Sequence, residues 1–369
     1  MRILIIGGYG MFGGRLVELL AHQSRLTLII AGRDINAARA FCAAQQAAAT
    51  LEPARFDREG GHDAIKAFAP DIVVDAAGPF QLYGDDPYRT IRAALEAGAH
   101  WIDLADSLPF VAGISALDAE AKSAERFVLS GASTCPVLTA CVVRRLSIDM
   151  PVETIDVGIA PSPYAGLGIS VIKAISSYAG KPVRVLEGGK WTTRYGLLDS
   201  RRMIVGVPNG VPLGERRFAL VEVPDLEVLA QEWPGAKSVW VGAGPVPALT
   251  HRALWTLAAL VRWRILPSLL PLAPFLDWAS RHIRWGADRG GMYVTISGGH
   301  RVRTWHLLAE GKSGPFIPSM AAEAIIRRCL SGDAPMPGAR AAHKELELAD
   351  YEAMFAQKGI VTGVVDEVA

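Results

Sequence analysis

Residues 1–16 read MRILIIGGYGMFGGRL. Four apolar residues, Ile3–Ile6, form a run too short for a buried helix, and they lead straight into glycines. Such a run, continuous rather than alternating in polarity, predicts a strand of a parallel sheet covered on both faces. Gly7, Gly10 and Gly13 then open a helix in the pattern GxxGxxG. A turn of this kind aims backbone N–H groups and the positive end of a helix at an anion, and side chains there would block the approach. Glycine spacing by itself is a weak signal. Placed after a buried strand and before an amphipathic helix, it points to a pyrophosphate and hence to a dinucleotide cofactor.

Working outward, Leu26–Ala31, Ile72–Ala76, Trp101–Leu104 and Phe127–Ser130 repeat the apolar run. Helical stretches at Met11–Ala21, Ala37–Ala49, Gly61–Phe68 and Tyr88–Glu96 separate them. This alternation predicts an α/β fold, an N-terminal Rossmann domain with a doubly wound parallel sheet. After about Pro136 the pattern becomes α+β. Strands are predicted at Thr154–Ala160, Ser238–Val241, Met292–Ser297 and Val302–Leu308, with a helix at Gly168–Tyr178. A hairpin is predicted at residues 183–193, turning on Gly188-Gly189. Pro318–Ser331 reads as a helix closed by Gly332. The expected domains are therefore residues 1–135 (Rossmann), 136–314 (α+β) and 315–369 (a C-terminal helix and tail).

Length and composition agree with a two-domain globular enzyme: 369 residues, half of them hydrophobic, a fifth charged, with 37 glycines. A net charge of +1 supplies no field for steering nucleic acid. The four cysteines form no CxxC pair, which argues against a zinc ribbon or dithiol centre. His300 and His306 read as a structural pair on one strand rather than metal ligands, so no metal is expected. No secretory signal is read at Met1, and a reducing cytoplasm is the expected compartment.

The cofactor's ribose would be read at the second strand's tip, Ala31-Gly32-Arg33-Asp34. An arginine accommodates the 2′-phosphate of NADP, whereas a carboxylate binds the 2′-hydroxyl of NAD. Arg33 comes first, and Asp34 has an alternative use as the N-cap of the next helix. NADP is the expected cofactor, with NAD as the alternative. Asp57, after a third strand at Ala54–Phe56, is placed either to accept from the adenine amino group or as a plain turn residue. Candidate cofactor contacts are Gly7, Gly8, Tyr9, Gly10, Met11, Phe12, Gly13, Arg33, Asp34, Asp57, Ala77, Gly78, Pro79 and Phe80. The last four form a bent, apolar end to a strand, at the edge where open α/β sheets bind ligands.

Three stretches in order, GGYGMFG, DAAGPFQLYG and EAGAHWIDLADS, resemble the saccharopine dehydrogenase-like oxidoreductases over the first 135 residues. The resemblance implies nicotinamide-dependent hydride transfer at a carbon–nitrogen bond of an amino-acid-like or imine substrate. It also implies a homodimer formed through residues 136–314 as the substrate domain, with residues 315–369 packing back on the Rossmann half. It also places Tyr83 and Asp103 as candidates for substrate contact or proton transfer. The sequence departs from the Cys-Gly-x-Asp-Pro-Gly turn of true saccharopine reductases, carrying Ser130-Gly131-Ala132-Ser133-Thr134-Cys135-Pro136 instead. Saccharopine itself is therefore not assigned. A cofactor-binding protein with little turnover is the rival class.

Residues 253–285 stand apart. They contain ILPSLLPLAPFL (265–276), uncharged but too short to span a bilayer, with tryptophans around it. A buried lid or subunit contact is the favoured expectation, and a membrane-surface patch the other.

Overall fold

The computed structural model describes residues 1–58, 63–244, 248–282 and 285–368. The chain forms two compact units, Met1–Val137 with Pro315–Leu346, and Leu138–Gly314 with Glu347–Ala369.

In the first unit, the strands β1 (Arg2–Ile6), β2 (Thr27–Gly32), β3 (Thr50–Arg55), β4 (Ile72–Asp75), β5 (His100–Asp103) and β6 (Phe127–Ser130) pair in parallel. A further strand, Gly338–Ala341, pairs with β6. Among the described residues the order is (338–341)-β6-β5-β4-β1-β2-β3, a doubly wound sheet. The order reverses between β1 and β4, and ligands of open α/β sheets bind in the crevice at such a switch. The first helix, α1 (Met11–Leu20), follows β1, and α2 (Ile35–Ala43) follows β2. The sheet's inner residues, Ile3, Leu4, Ile5, Val73, Val74 and Trp101 among them, are at most 1% exposed. Both faces are covered, which is why these strands read as unbroken apolar runs.

Several boundaries differ from the sequence reading, two of them by more than three residues. The second helix stops at Ala43 rather than Ala49, and β3 begins at Thr50 rather than Ala54. Pro53 lies inside β3, and an edge strand tolerates a proline because its outer N–H side needs no partner. The helix expected over 61–68 occupies Ala64–Phe68, and its first two expected residues lie outside the described ones.

The second unit is built on a mixed sheet. Its strands are β7 (Thr154–Ala160), β8 (Pro182–Glu187), β9 (Lys190–Tyr195), β10 (Ser200–Met203), β11 (Arg216–Leu220), β12 (Ser238–Ala243), β13 (Arg289–Gly298) and β14 (Arg301–Glu310), with Val361–Val368 beside β14. The order is β10-β11-β12-β7-β13-β14-(361–368), and β8 joins β12 to β9. Gly188 and Gly189, with φ of 59° and 78°, turn the β8–β9 hairpin as expected. Arg303 and Arg301 bridge Asp149 to Asp366, tying the last strand to the loop before β7.

Three expectations are corrected here. The C-terminal segment does not pack as one piece on the Rossmann half. The helix Ile317–Leu330 and strand 338–341 belong to the first unit, whereas Val361–Val368 extends the second sheet along β14. His300 is not on a strand with His306; it occupies the left-handed turn between β13 and β14, with φ of 65°. Nor do residues 253–285 form a buried lid, because Trp263, Ile265, Phe275, Trp278 and Trp285 are each more than half exposed.

Candidate cofactor site

The β1–α1 turn explains its own glycines. Gly7 has φ of 76°, and a Cβ there would lie 2.8 Å from the Cα of Ala77 on the neighbouring β4 loop. A Cβ on Gly13 would lie 2.2 Å from the carbonyl oxygen of Gly7, where no side chain fits. Gly10 differs: it is exposed, its φ of −78° suits any residue, and it is the N-cap of α1. The turn is closed by Gly10 N–H donating to Gly7 O (2.8 Å) and Gly7 N–H donating to Ala31 O (2.8 Å).

What remains is a helix end with unsatisfied donors. Gly10 offers no capping side chain, and the first turn of α1 carries no acid. The amides of Met11 and Phe12 have no acceptor among the described residues. Initial helical amides need an acceptor from outside the helix, and with the dipole they favour an anion. The residues present thus fit a pyrophosphate. The helix Ile317–Leu330 braces this end, since Ser319 Oγ donates to Phe12 O at 2.8 Å and the Arg15 guanidinium lies 5.0 Å from the Phe316 ring centroid.

At the tip of β2, Asp34 caps α2: one carboxylate oxygen accepts from the amides of Asn36 (2.8 Å) and Ala37 (3.2 Å). Arg33 is exposed and has no hydrogen-bond or ionic partner among the described residues. Tyr9 closes over this tip. Its hydroxyl accepts from Asp34 N–H at 3.0 Å, and its ring occupies the space a Cβ on Gly32 would need. Tyr9 is therefore a strut joining the glycine turn to β2, a pairing that sequence spacing alone does not reveal. Asp57 is exposed just beyond β3.

Across the switch, the β4 loop presents small and apolar residues. Ala77, Gly78 and Pro79 are half-buried, and Gly78 takes φ of 37°. Phe80 is corrected: it is 5% exposed and faces the core, 4.6 Å from the Tyr83 ring and 5.1 Å from that of Phe110. An aromatic side chain this large contributes more by leaving water than by lining an open edge.

Tyr83 and Asp103 lie where the sequence placed them, at the carboxyl ends of β4 and β5, but each is engaged internally. The Tyr83 hydroxyl donates to Asp75 Oδ2 at 2.9 Å, while Asp75 Oδ1 accepts from Ala77 N–H at 3.0 Å. Burial pushes the Asp75 carboxyl and the Tyr83 phenol up, the latter strongly, and the Asp75 charge adds to the phenol's shift. The Arg58 guanidinium lies over the Tyr83 ring, 3.2 Å from its centroid, and works against both shifts. Asp75 was not singled out from sequence, although an acid ending the run IVV was a usable signal.

Asp103 is 0% exposed and accepts four hydrogen bonds. Trp101 Nε1 donates to Oδ2 (3.0 Å), and the Ala105 amide (3.1 Å), Ser130 hydroxyl (2.9 Å) and Gly131 amide (2.8 Å) donate to Oδ1. Burial raises its pKa to about 6, and the hydrogen bonds oppose the rise. In this geometry Asp103 staples the β5 and β6 loops together. The Ser130–Pro136 stretch, which departs from the reductase turn, supplies two of the four donors.

Residues 3–129 match the family described as the saccharopine dehydrogenase NADP binding domain. The match spans the N-terminal Rossmann domain and about a third of the chain. The whole chain resembles the saccharopine dehydrogenase (L-Glu forming) from Saccharomyces cerevisiae, with 13% identity, 100% of both chains covered and a TM-score of 0.66. At that identity the likeness establishes a shared two-domain fold. An amine dehydrogenase from Mycobacterium smegmatis (11% identity, 95% of both chains, TM-score 0.46) is a more distant likeness. So is a probable dehydrogenase from Thermotoga maritima (12%, 95% of this chain and 92% of that one, TM-score 0.46). No curated protein matches the sequence significantly. The family match thus concerns a dinucleotide-binding domain, and the solved structure a two-domain fold.

Proposed function

We propose that the chain is an NADP-dependent oxidoreductase that moves hydride at a carbon–nitrogen bond of an amino-acid-like or imine substrate. The observation that carries this reading is the uncapped α1 N-terminus behind a glycine turn, in a domain of the saccharopine dehydrogenase type. When bound, the nicotinamide supplies the hydride chemistry. The chain's own part is to bind and orient. The amides of Met11 and Phe12 would take the pyrophosphate, and Arg33 the 2′-phosphate. Ala77, Gly78 and Pro79 would give a flat surface on which a ring can lie.

Tyr83 and Asp103 enter as positioning residues. Tyr83 holds the β4 loop through Asp75, and Asp103 fixes the β5 and β6 loops. Their full engagement favours one second reading, a cofactor-binding protein with little turnover.

Steady oxidation of NADPH across a panel of imine and 2-oxo-acid/amine pairs separates the two. Turnover with any member supports the enzyme. Tight NADPH binding without turnover supports the second reading. Absence of binding sinks both. Gly10→Val is the control: its backbone angles are ordinary and its Cβ would sit 3.0 Å from Gly7 O, so the domain should fold while the anion's approach is blocked.

A further inference from the structure

Residues 248–285 hold five arginines (252, 262, 264, 281 and 284) against one acid, Asp277, a net charge of +4 in a chain whose total is +1. That acid is buried, and Arg281 is paired with it. In the same segment large apolar side chains stand in water: Leu249, Trp263, Ile265, Phe275, Trp278 and Trp285 are each more than half exposed. On the helix Ala273–His282, Phe275 stacks on Trp278 (6.0 Å) and Trp278 on His282 (4.7 Å), making an aromatic ridge at i, i+3 and i+7. Large apolar side chains left exposed beside such a stacked ridge mark an interaction site. The helices bearing it, Ala248–Arg262 and Ala273–His282, have 15 and 10 residues, and no helix among the described residues is long and apolar enough to cross a membrane.

Charge decides the occupant. A second copy docking by the same face would bring two arginine-rich patches together, because a two-fold interface pairs a surface with itself. With Asp277 buried, the segment has no exposed acid to offset that repulsion. An anionic lipid surface supplies the missing charge. Tryptophan favours the headgroup level of a bilayer, and arginines beside it interact with lipid phosphates. We propose that residues 248–282 seat the protein on an anionic bilayer surface, with the aromatic ridge at headgroup depth and Arg252 and Arg264 on the phosphates.

The test is flotation of the full chain with vesicles of pure phosphatidylserine and of pure phosphatidylcholine, at low and high salt. The protein should float with phosphatidylserine only, and salt should release it. Arg252→Ser and Arg264→Asn should each lower partitioning about fivefold, asparagine being chosen because residue 264 has a positive φ. Trp263→Ser combined with Trp278→Ser should lower it further. Unchanged NADPH affinity in each variant shows that the protein is folded. No flotation with phosphatidylserine overturns the proposal, as does equal flotation with both lipids. A lipid-free dimer that dissociates on Trp263→Ser also overturns it, by showing that the face is a subunit contact.

Discussion

The two ends of the parallel sheet's carboxyl edge treat hydrogen-bond donors in opposite ways. At the β1–β2 end, the first amides of α1 have no acceptor and Arg33 has no partner among the described residues. At the β5–β6 end, four donors converge on one buried carboxylate, Asp103. Both ends are built from residues that sequence reading flags as functional. The difference teaches that a ligand surface is recognised by what it leaves unsatisfied. A buried acid with all its partners in place is scaffold, because an unpaired polar group inside the fold is costly and a paired one is not.

The strongest way to break this comparison is Asp103→Ala. It strands the Trp101 indole, the Ala105 and Gly131 amides and the Ser130 hydroxyl, each worth roughly 1–3 kcal/mol when left buried without a partner. A loss of about 4 kcal/mol in urea unfolding is expected. If stability holds and turnover vanishes, Asp103 is a catalytic residue and the two ends are alike.

Next in size is Gly13→Ala, whose methyl would overlap Gly7 O. Overpacking against backbone should cost about 3 kcal/mol and lower the melting temperature. Gly10→Ala should leave that temperature nearly unchanged. Equal effects at the two positions would mean the turn is not held as described.

Acid should sharpen the scaffold end. His100 stacks on Phe127 at 4.1 Å, and its Nδ1 accepts from the Phe127 amide at 3.1 Å, so it must stay neutral; burial takes its pKa down to about 4. The folded value lies below the unfolded 6.5. Its contribution is therefore complete above pH 6.5 and is lost as the pH falls through about 4. Asp103 acts in the opposite sense. Its folded value of about 6 exceeds the unfolded 3.8, so folding gains stability as pH falls between them. The two contributions oppose each other in the wild type. His100→Gln keeps an acceptor without the titration, and should gain about 2 kcal/mol on the wild type between neutrality and pH 4, after allowing for partial exposure. Unfolding curves at the two pH values give the answer; parallel losses in both proteins would contradict the assignment.

The smallest effect belongs to the binding end. Arg33→Ala should weaken NADP about tenfold, near 1.4 kcal/mol, and leave NAD almost unchanged. Asp34→Ala should affect stability through the lost cap, by about 1 kcal/mol, more than it affects either cofactor. Calorimetric titration of both dinucleotides reads this directly. A wild type that prefers NAD would remove the role given to Arg33.

The sequence by itself determined the parallel sheet and the glycine turn, and offered the capping use of Asp34 that the structure adopts. Each rests on local rules: unbroken apolar runs, backbone reach at glycine, and a short side chain reaching amides two and three residues on. The bend at Ala77–Pro79 was legible for the same reason, since bend and strand end are adjacent in the chain. Only the tertiary structure decided that Phe80 turns inward, that Tyr9 struts β2, that Tyr83 is held by Asp75, and that the last strand joins the second sheet rather than the first. These are pairings across eight to about sixty residues, or between strands chosen by register, and no periodicity encodes them. The same holds for Trp263 and Trp278. An apolar run reads alike whether it is buried or facing water, because burial is decided by what the rest of the chain packs against it.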